Sequence, residues 1–344
     1  MKHGPCIIIC ACQRAFATIR TCLINGQETM IENISALKVQ NLEVDENSCG
    51  QRLDNFLMPR LKGVPKTRIY RIIRKGEVRV NGKRKKPDYK LQLADSVRIP
   101  PIRVSRNEKP LSNPGLDKLV MESILYQDES LIVINKPSGL SVHAGTGVKI
   151  SLIDILRGVF QDEYLELVHR LDKGTSGCLL LARNASVLKH LQNDFRSRSI
   201  AKRYHALVHG VWPELIKEVN TGLQKSPELG GERKVNVAAT GKNSVTHFSI
   251  LKHYRLHTLV LAEPLTGRTH QIRVHAQFAG YPVCGDDKYS NKIQLKQLST
   301  SGITRLCLHA AELELRHPRD GQILKLAAPY DDKFRSALQI VSTL

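Results

Sequence analysis

The feature of the sequence that most restricts its fold is the concentration of basic residues in one short segment. Residues 51 to 110 contain 18 Lys and Arg and 5 Asp and Glu, so this segment holds +13 (18 − 5) of the net charge of +20. Within it, residues 66 to 86 contain ten basic side chains and one acid, Glu77. Side chains of this charge stay at the surface, and their density is typical of a phosphate-binding face. A solvated basic face without a partner is the alternative.

The length of 344 residues predicts two domains. Hydrophobic residues make up 41% and charged residues 24%, and no apolar run is long enough to span a membrane, so an integral membrane protein is excluded. Four of the eight cysteines lie in the first 22 residues, and no C-x-x-C pair occurs. This spacing argues against a zinc ribbon and a disulfide framework, and it favours a protein of the reducing cytoplasm.

The N-terminal segment is only weakly similar to a signal peptide, because its short apolar run is interrupted by Gln13, Arg14 and Arg20. Met30 is the first residue of a polar segment and is the predicted true start of translation. We expect residues 1 to 50 to form an N-terminal extension, disordered in part, in which residues 1 to 29 contribute nothing to the fold.

Two amphipathic helices followed by strands are predicted for residues 51 to 100. The first helix shows apolar residues at spacings of three and four, namely Leu53, Phe56, Leu57 and Leu61. The second runs from Pro65 to Lys75 and stops at Gly76. An Asn-Gly pair at 81 and 82 predicts a tight turn between strands. The prolines that follow predict a linker over residues 101 to 119.

Residues 120 to 344 predict an α+β domain with a mainly antiparallel sheet, because short strand-like runs alternate with few helices. Asn184 is the expected N-cap of one helix, and residues 269 to 279 form another that is closed by Gly280. Neither of the two glycine-rich phosphate-binding loops is present, so no nucleotide cofactor is expected. The histidine spacings do not match a metal site.

Three polar stretches interrupt the apolar pattern, at residues 135 to 143, 169 to 177 and 266 to 275. Asp172 lies beside glycines that allow a sharp bend, and Arg273 is a candidate partner that would keep its carboxylate ionised. From spacing alone, a structural Asp–Arg pair is the favoured interpretation. Local pattern alone also makes Tyr204 an ordinary, half-buried sheet residue.

The segment from RLDNFL through IRKGEVRVNG to LQLADSVRI resembles the S4 RNA-binding domain. The resemblance covers residues 51 to 100, the helix–helix–strand unit predicted above. It implies that Arg68, Arg71, Arg74 and Lys75 contact an RNA backbone from one helix. Such contacts position the RNA rather than read its sequence.

Four further motifs resemble, in order, those of the RluA-type pseudouridine synthases. They are KPSGLSVH, HRLDKGTSGCLLLAR, AKRYHALVHG and LTGRTHQIRVHAQFAGYPVCGDDKY, and the likeness covers residues 119 to 335. The resemblance implies an isomerase that converts uridine in RNA to pseudouridine without a cofactor or a metal ion. It implies that Asp172 acts on the ribose, that Tyr204 stacks on the uracil and assists removal of the C5 proton, and that Arg273 pairs with Asp172.

The resemblance also assigns roles to residues near Asp172, Tyr204 and Arg273. Arg170 is expected to enter the RNA stack when the target nucleotide flips out, and Leu308 to form an apolar wall for the base. Lys136, His169, His270 and Gln271 are expected to support the loops.

An S4 domain in front of such a synthase implies large-subunit (23S) ribosomal RNA, or its assembly precursors, as the partner. The protein is then expected to act as a cytoplasmic monomer with no membrane contact. Two alternatives stay open. One is a synthase for other rRNA or tRNA uridines, and the other is a non-catalytic RNA-binding factor in ribosome assembly.

Overall fold

The computed structural model describes residues 8–9, 39–61, 64, 66–102, 114–143, 150–161, 164–226 and 234–343. The chain forms two compact units, residues 12–111 and residues 1–11 with 112–344. In the N-terminal segment, Ile8–Ile9 forms a two-residue strand, β1, of the larger unit. It lies within residues 1 to 29, which are expected to contribute nothing to the fold, and pairs in parallel with Lys325 and Leu326.

In its described residues, the smaller unit contains two helices and a three-stranded antiparallel sheet in the order β2-β4-β3. Its elements are β2 (Gln40–Glu43), α1 (Leu53–Arg60), α2 (Lys66–Lys75), β3 (Arg79–Val80) and β4 (Ser96–Ile99). Strand β2 lies in the segment assigned above to the extension, and Val44 beside it is buried in the core of this unit. The three-stranded sheet of this unit thus includes an edge strand, β2, that precedes residue 51 and pairs with β4.

The apolar stripes of α1 and α2 form the core of the smaller unit, as the spacing predicts. Phe56 and Ile73 are fully buried, whereas the basic side chains of α2 that the structure describes are exposed. Gly76 ends α2 with φ +75°, and Asn81 and Gly82 both have positive φ, as a tight hairpin turn requires. Asn81 also donates from Nδ2 to Asp95 Oδ1 at 2.7 Å, which fixes the turn.

The larger unit is built around one twisted sheet with helices packed on it. The described strands are β5 (Ile124–Gln127), β6 (Leu131–Lys136), β7 (Glu166–Leu167), β8 (Ser176–Ala182), β9 (Ala201–His209), β10 (Glu218–Lys225), β11 (Val235–Val237), β12 (Lys242–His253), β13 (His257–Pro264), β14 (Leu308–Arg316) and β15 (Ile323–Ala327). The described helices are α3 (Pro114–Glu122), α4 (Leu152–Phe160), α5 (Ala185–Ser197), α6 (Gln271–Phe278), α7 (Lys292–Thr300) and α8 (Asp332–Thr343).

The strand order along the sheet is β11-β10-β12-β13-β9-β14-β8-β6-β5, with β15 beside β14 and β7 beside β8. Among the described pairs, β8 with β14 and β1 with β15 are parallel and the rest are antiparallel. The predicted α+β class with a mainly antiparallel sheet is confirmed. Helix α3 begins inside the predicted 101–119 linker, and its residue Val120 is buried in the core of the larger unit. The larger unit therefore starts before residue 120.

The parallel junction of β8 and β14 organises the centre of the unit. Gly177 has φ +107°, and a Cβ atom there would lie 2.2 Å from the carbonyl oxygen of Ala310, so only glycine fits. Ala310 is also the register partner of Tyr204 on β9. The loop before β8, the middle of β9 and the start of β14 consequently meet at one place.

Two helices flank this place and follow the predicted pattern. Asn184 caps α5 by accepting a hydrogen bond from the backbone of Val187 at 2.9 Å. Helix α6 starts two residues later than predicted, because His270 adopts a left-handed conformation with φ +54°, and it is followed by Gly280 with φ +93°. Among the helices of the described residues, none is both long and apolar enough to cross a membrane.

Candidate functional site

A cavity of about 660 Å³ opens where β8, β9 and β14 meet. Its walls come from the loop before β8, from β9, from the segment that leads from β13 into α6, and from the first residue of β14. It brings together residues that are far apart in the sequence. Those predicted from the sequence are Arg170, His169, Asp172, Tyr204, His270, Gln271, Arg273 and Leu308.

Arg273 joins two carboxylates at the floor of the cavity. Its Nη1 donates to Asp172 Oδ2 at 3.2 Å, and its Nε and Nη2 donate to Asp286 Oδ2 at 2.6 Å and Oδ1 at 2.7 Å. The guanidinium is 6% exposed, Asp172 is 23% exposed and Asp286 is fully buried. Burial lowers the pKa of Arg273, but the hydrogen bonds and charge of Asp286, with those of Asp172, raise it above its ordinary value. Arg273 is therefore a permanent cation.

Asp286 anchors this guanidinium. Besides the two bonds from Arg273, its Oδ1 accepts from the backbone N–H groups of Lys288 at 3.0 Å and Tyr289 at 3.2 Å. The sequence patterns do not single out Asp286. The available signal is the pair of consecutive acids after Gly285 in the GDDKY end of the fourth motif.

His270 faces Asp172 as a neutral ring. Its Nδ1 lies 2.8 Å from the hydroxyl of Tyr289, and that hydroxyl accepts from the backbone N–H of Val235 at 3.0 Å. Either the Tyr289 hydroxyl or the Nδ1 of His270 can donate in this hydrogen bond, and the Nε2 of His270 lies 3.8 Å from Asp172 Oδ2. Burial lowers the pKa of His270 although Asp172 opposes this shift.

Tyr204 and Leu308 provide the apolar side of the cavity. Leu308 is buried, and its backbone pairs with Ala206, two residues beyond Tyr204 on β9. Burial, followed by the charge of Asp172, raises the pKa of Tyr204 above its ordinary value. The phenol is therefore protonated at neutral pH.

Gln271 fixes the loop that enters α6. Its Oε1 accepts from Thr266 Oγ1 at 2.6 Å and from the backbone N–H of Arg268 at 3.0 Å. Its Nε2 donates to the Val245 carbonyl and to Thr246 Oγ1, both at 2.9 Å. With each amide atom engaged twice, Gln271 holds the loop against β12.

Lys136 supports the Asp172 loop from below rather than from the cavity wall. It is fully buried, and its Nζ donates to the carbonyls of Pro137 at 2.7 Å, Leu140 at 2.9 Å and Lys173 at 3.2 Å. Burial, followed by the charge of Arg305, lowers the pKa of Lys136 to about 7. Since three carbonyl acceptors require three N–H donors, the protonated form of Lys136 is the one that satisfies them.

His169 supports the same loop from its other end. Its Nε2 accepts from the backbone N–H of Leu180 at 3.0 Å, and its ring packs on Phe195 with centroids 4.8 Å apart. Burial, followed by the charge of Lys202, lowers the pKa of His169 to about 3, so the ring is neutral. Arg170, the next residue, is exposed at the cavity.

A basic rim surrounds the cavity beyond Arg170. It consists of Arg196, Arg198, Lys202 and Arg268, none of which the motifs single out as site residues. The sequence signal for three of them is the basic run RSRSIAKR at the end of α5. Such a rim suits a polyanion that lies across the opening.

The four basic residues predicted to bind RNA in the smaller unit lie on α2 and are exposed. They are Arg68, Arg71, Arg74 and Lys75. Their side chains lie away from the buried Ile69 and Ile73, which pack into the core of that unit.

Comparisons with known proteins agree with this geometry. Residues 130–278 match the family model described as RNA pseudouridylate synthase, and residues 51–97 match that of the S4 domain. The ribosomal large subunit pseudouridine synthase C of Pasteurella multocida (strain Pm70) is 47% identical over 310 residues, 89% of this chain and 95% of that protein. Its counterpart in Escherichia coli (strain K12) is 46% identical over 309 residues, 88% and 96% of the two chains.

One solved structure extends the similarity to the fold. Human RNA Pseudouridylate Synthase Domain Containing 4 superposes with a TM-score of 0.55 at 29% identity, over 66% of this chain and 95% of that one.

Proposed function

This chain belongs to the RNA pseudouridylate synthase family, and on that basis we propose that it isomerises specific uridines of large-subunit (23S) ribosomal RNA, or of its assembly precursors, to pseudouridine. Relatives that match nearly its whole length are named for this subunit, and its smaller unit matches an RNA-binding domain. The central observation is an ion pair, Asp172 with Arg273, at the floor of a cavity of about 660 Å³. The proposed compartment is the cytoplasm, where bacterial ribosomes are assembled.

In the proposed reaction the uracil leaves the ribose at N1, rotates while it is held, and rejoins through C5. The bond from N1 to C1′ breaks, the bond from C5 to C1′ forms, and the C5 hydrogen is exchanged for a proton at N1. In the described part of the chain, Arg273 and His270 both contact Oδ2 of Asp172. Its Oδ1 is thus available to the ribose, either to attack C1′ or to remove the C2′ proton.

Tyr204 is proposed to stack on the uracil opposite the apolar wall of Leu308. Because the pKa of Tyr204 is raised, its hydroxyl takes part in removal of the C5 proton as a relay and not as a free phenolate. Arg273 keeps the Asp172 carboxylate oriented, and Gln271 and Lys136 hold the two loops that carry this pair.

RNA binding is proposed to use both units. The target nucleotide leaves its stack to reach the cavity floor, and Arg170 takes its place. The basic rim contacts phosphates around the cavity, and the exposed basic face of α2 contacts a further stretch of backbone. The protein is proposed to act as a monomer.

The proposal is tested by tritium release from a 23S RNA transcript that carries tritium at C5 of its uridines, since isomerisation frees that hydrogen. The wild type is expected to release tritium from a few sites, and Asp172→Asn is expected to release none while it binds the RNA with unchanged affinity. Full activity of Asp172→Asn would contradict the catalytic role of Asp172.

The target is tested in cells by pseudouridine mapping with carbodiimide and primer extension. A bacterial strain without the gene is complemented with the wild type or with Asp172→Asn. Pseudouridines that return only with the wild type identify the substrate. If the large-subunit map never changes, tRNA and the remaining rRNA are mapped next. A protein inactive on all of them is a binding factor.

A further inference from the structure

Three metal-ligating side chains converge at a second place on the sheet, at the far end of the β9–β13 pair. His209 and His257 are register partners on these antiparallel strands, so their side chains share one face. Cys284 follows Val283, which bridges to Val208 on β9. The thiol and one ring nitrogen of each histidine all lie within 4.8 Å of one another.

The polar atoms of this cluster are buried without hydrogen-bond partners among the residues that the structure describes. His209 Nε2 and His257 Nδ1 have none, and the His257 side chain is only 7% exposed. The buried thiols of Cys178 and Cys307 lie near backbone carbonyls, whereas no such acceptor is found for Cys284 within the described ranges. Unpaired buried polar atoms are costly and rare in native proteins, so two such nitrogens beside a buried thiol point to an occupant.

We propose that His209, His257 and Cys284 bind a divalent transition-metal ion of the zinc class. Two imidazoles and one thiolate are the donors that zinc prefers, at about 2.0 to 2.1 Å for nitrogen and about 2.3 Å for sulfur. Tetrahedral coordination at these bond lengths requires the three donor atoms, which now lie within 4.8 Å of one another, to move closer together on binding. The fourth tetrahedral position is left to water, and the thiol proton is released to solvent on binding.

The proposed ion has a structural role, because it lies away from the catalytic cavity. His209 and Tyr204 are five residues apart on a strand without a bulge in this pairing, so their side chains point to opposite faces, about 17 Å apart along the strand. Cys284, however, precedes Asp286 by two residues. Between them, Gly285 has φ +72°, and a Cβ there would lie 1.8 Å from the Arg305 carbonyl oxygen. The ion would therefore tie β9 and β13 to the segment that delivers Asp286 to Arg273.

Sequence spacing gives no indication of this cluster. Its members lie at positions 209, 257 and 284, with no short motif between them. Only strand pairing makes them neighbours, which is why the histidine spacings along the sequence do not predict a metal site.

The test is metal content and cobalt spectroscopy on the full-length, reduced protein. The protein is stripped with a chelator and dialysed against zinc, and bound zinc is measured by mass spectrometry for the wild type, Cys284→Ser, His257→Gln and Cys307→Ser. Because four further cysteines lie in the first 22 residues, the readout is the difference between variants. Cys307→Ser is the matched control, since Cys307 is also buried and lies outside the cluster.

The wild type and Cys307→Ser are expected to bind one more zinc ion per chain than Cys284→Ser and His257→Gln. Cobalt is expected to give the intense visible absorption of a tetrahedral thiolate site in the first two proteins only. Zinc at a hundredfold excess over Kd is expected to raise the unfolding midpoint of the wild type by about 5 °C or more. Equal zinc in all four proteins, or a wild type without the cobalt spectrum, would overturn the proposal. If one of the two cluster variants fails to fold, the other, compared with Cys307→Ser, decides the question.

Discussion

The most informative single change is Asp286→Asn, because it removes the anchor of Arg273 and leaves Asp172 in place. The Asp286 carboxylate accepts two hydrogen bonds from the guanidinium and two from backbone N–H groups, all within 3.2 Å. An asparagine retains one oxygen acceptor, and its amide group then faces a guanidinium donor. Arg273 keeps its positive charge at 6% exposure, with Asp172 and the exposed Asp287 as its remaining charged partners.

The structure sets the magnitude of the expected effect. Removal of one partner from a buried ion pair costs about 3 to 5 kcal/mol. For a unit of this size, each kcal/mol lowers the unfolding midpoint by roughly 2 to 4 °C, so the midpoint is expected to fall by about 6 to 20 °C. Turnover is expected to fall at least about tenfold, because a guanidinium that is free to move no longer orients Asp172.

The chain offers a matched control in the next residue. Asp287 carries the same side chain and lies 3.5 Å from Arg273 Nη2, but it is 79% exposed. Asp287→Asn is expected to leave both the midpoint and the turnover close to those of the wild type, because exposed ion pairs contribute little. The measurements are thermal unfolding by circular dichroism and tritium release at saturating RNA. Equal effects of the two substitutions, or a wild-type midpoint for Asp286→Asn, would refute the anchoring argument.

Three further predictions follow from other parts of the structure. Replacement of Arg71, Arg74 and Lys75 by alanine is expected to weaken RNA binding. The slope of log K against log salt is expected to fall by about 2 to 3, because each lost phosphate contact removes roughly 0.7 to 0.9. An unchanged slope in a salt titration would show that α2 does not contact phosphates. Lys136→Met is expected to destabilise the larger unit by about 3 kcal/mol or more in urea unfolding, because three buried carbonyls lose their donor at about 1 to 3 kcal/mol each. His309 is buried neutral and burial lowers its pKa to about 4, so the unfolded chain takes up its proton first. This residue alone is expected to contribute a fall in stability of about 1.4 kcal/mol per pH unit as the pH falls from about 6.5 to 4. Urea unfolding at pH 7, 6 and 5 checks this, and a His309→Gln variant with the same pH slope as the wild type would contradict it.

Local sequence signals predict the elements that depend on local physics. The apolar stripes of α1 and α2, the Asn81–Gly82 turn and the Asn184 cap all appear as expected, because each is fixed by residues within a few positions. Strand β2 is different. Its four residues, QNLE, carry one apolar side chain, and only pairing with β4 makes them a strand.

The candidate site likewise contains some residues that the sequence predicts and others that it does not. Asp172, Tyr204 and Arg273 are predicted from motifs. The structure brings them together, although Asp172 and Arg273 are 101 positions apart in the sequence. Asp286 is not predictable in this way, because nothing local indicates which of the 32 acidic residues fills the other side of a buried guanidinium. The basic residues of the rim are likewise spread over α5, β9 and the loop before α6.

The catalytic role proposed for Asp172 is compatible with a structural pairing to Arg273, because Arg273 has a second carboxylate partner. Arg273 has its structural partner in Asp286, at 2.6 and 2.7 Å, and makes a single, longer bond of 3.2 Å to Asp172. If Asp172 alone held the guanidinium, any movement of Asp172 toward the ribose would leave a buried cation unpaired, at a cost of several kcal/mol. With Asp286 in place, Asp172 can exchange its bond to Arg273 for contact with the substrate while the positive charge stays fixed beside the reacting atoms. A donor that is already oriented before the reaction stabilises developing charge without reorganisation, so in the proposed mechanism the fully buried Asp286 leaves the half-buried Asp172 free to act on the ribose.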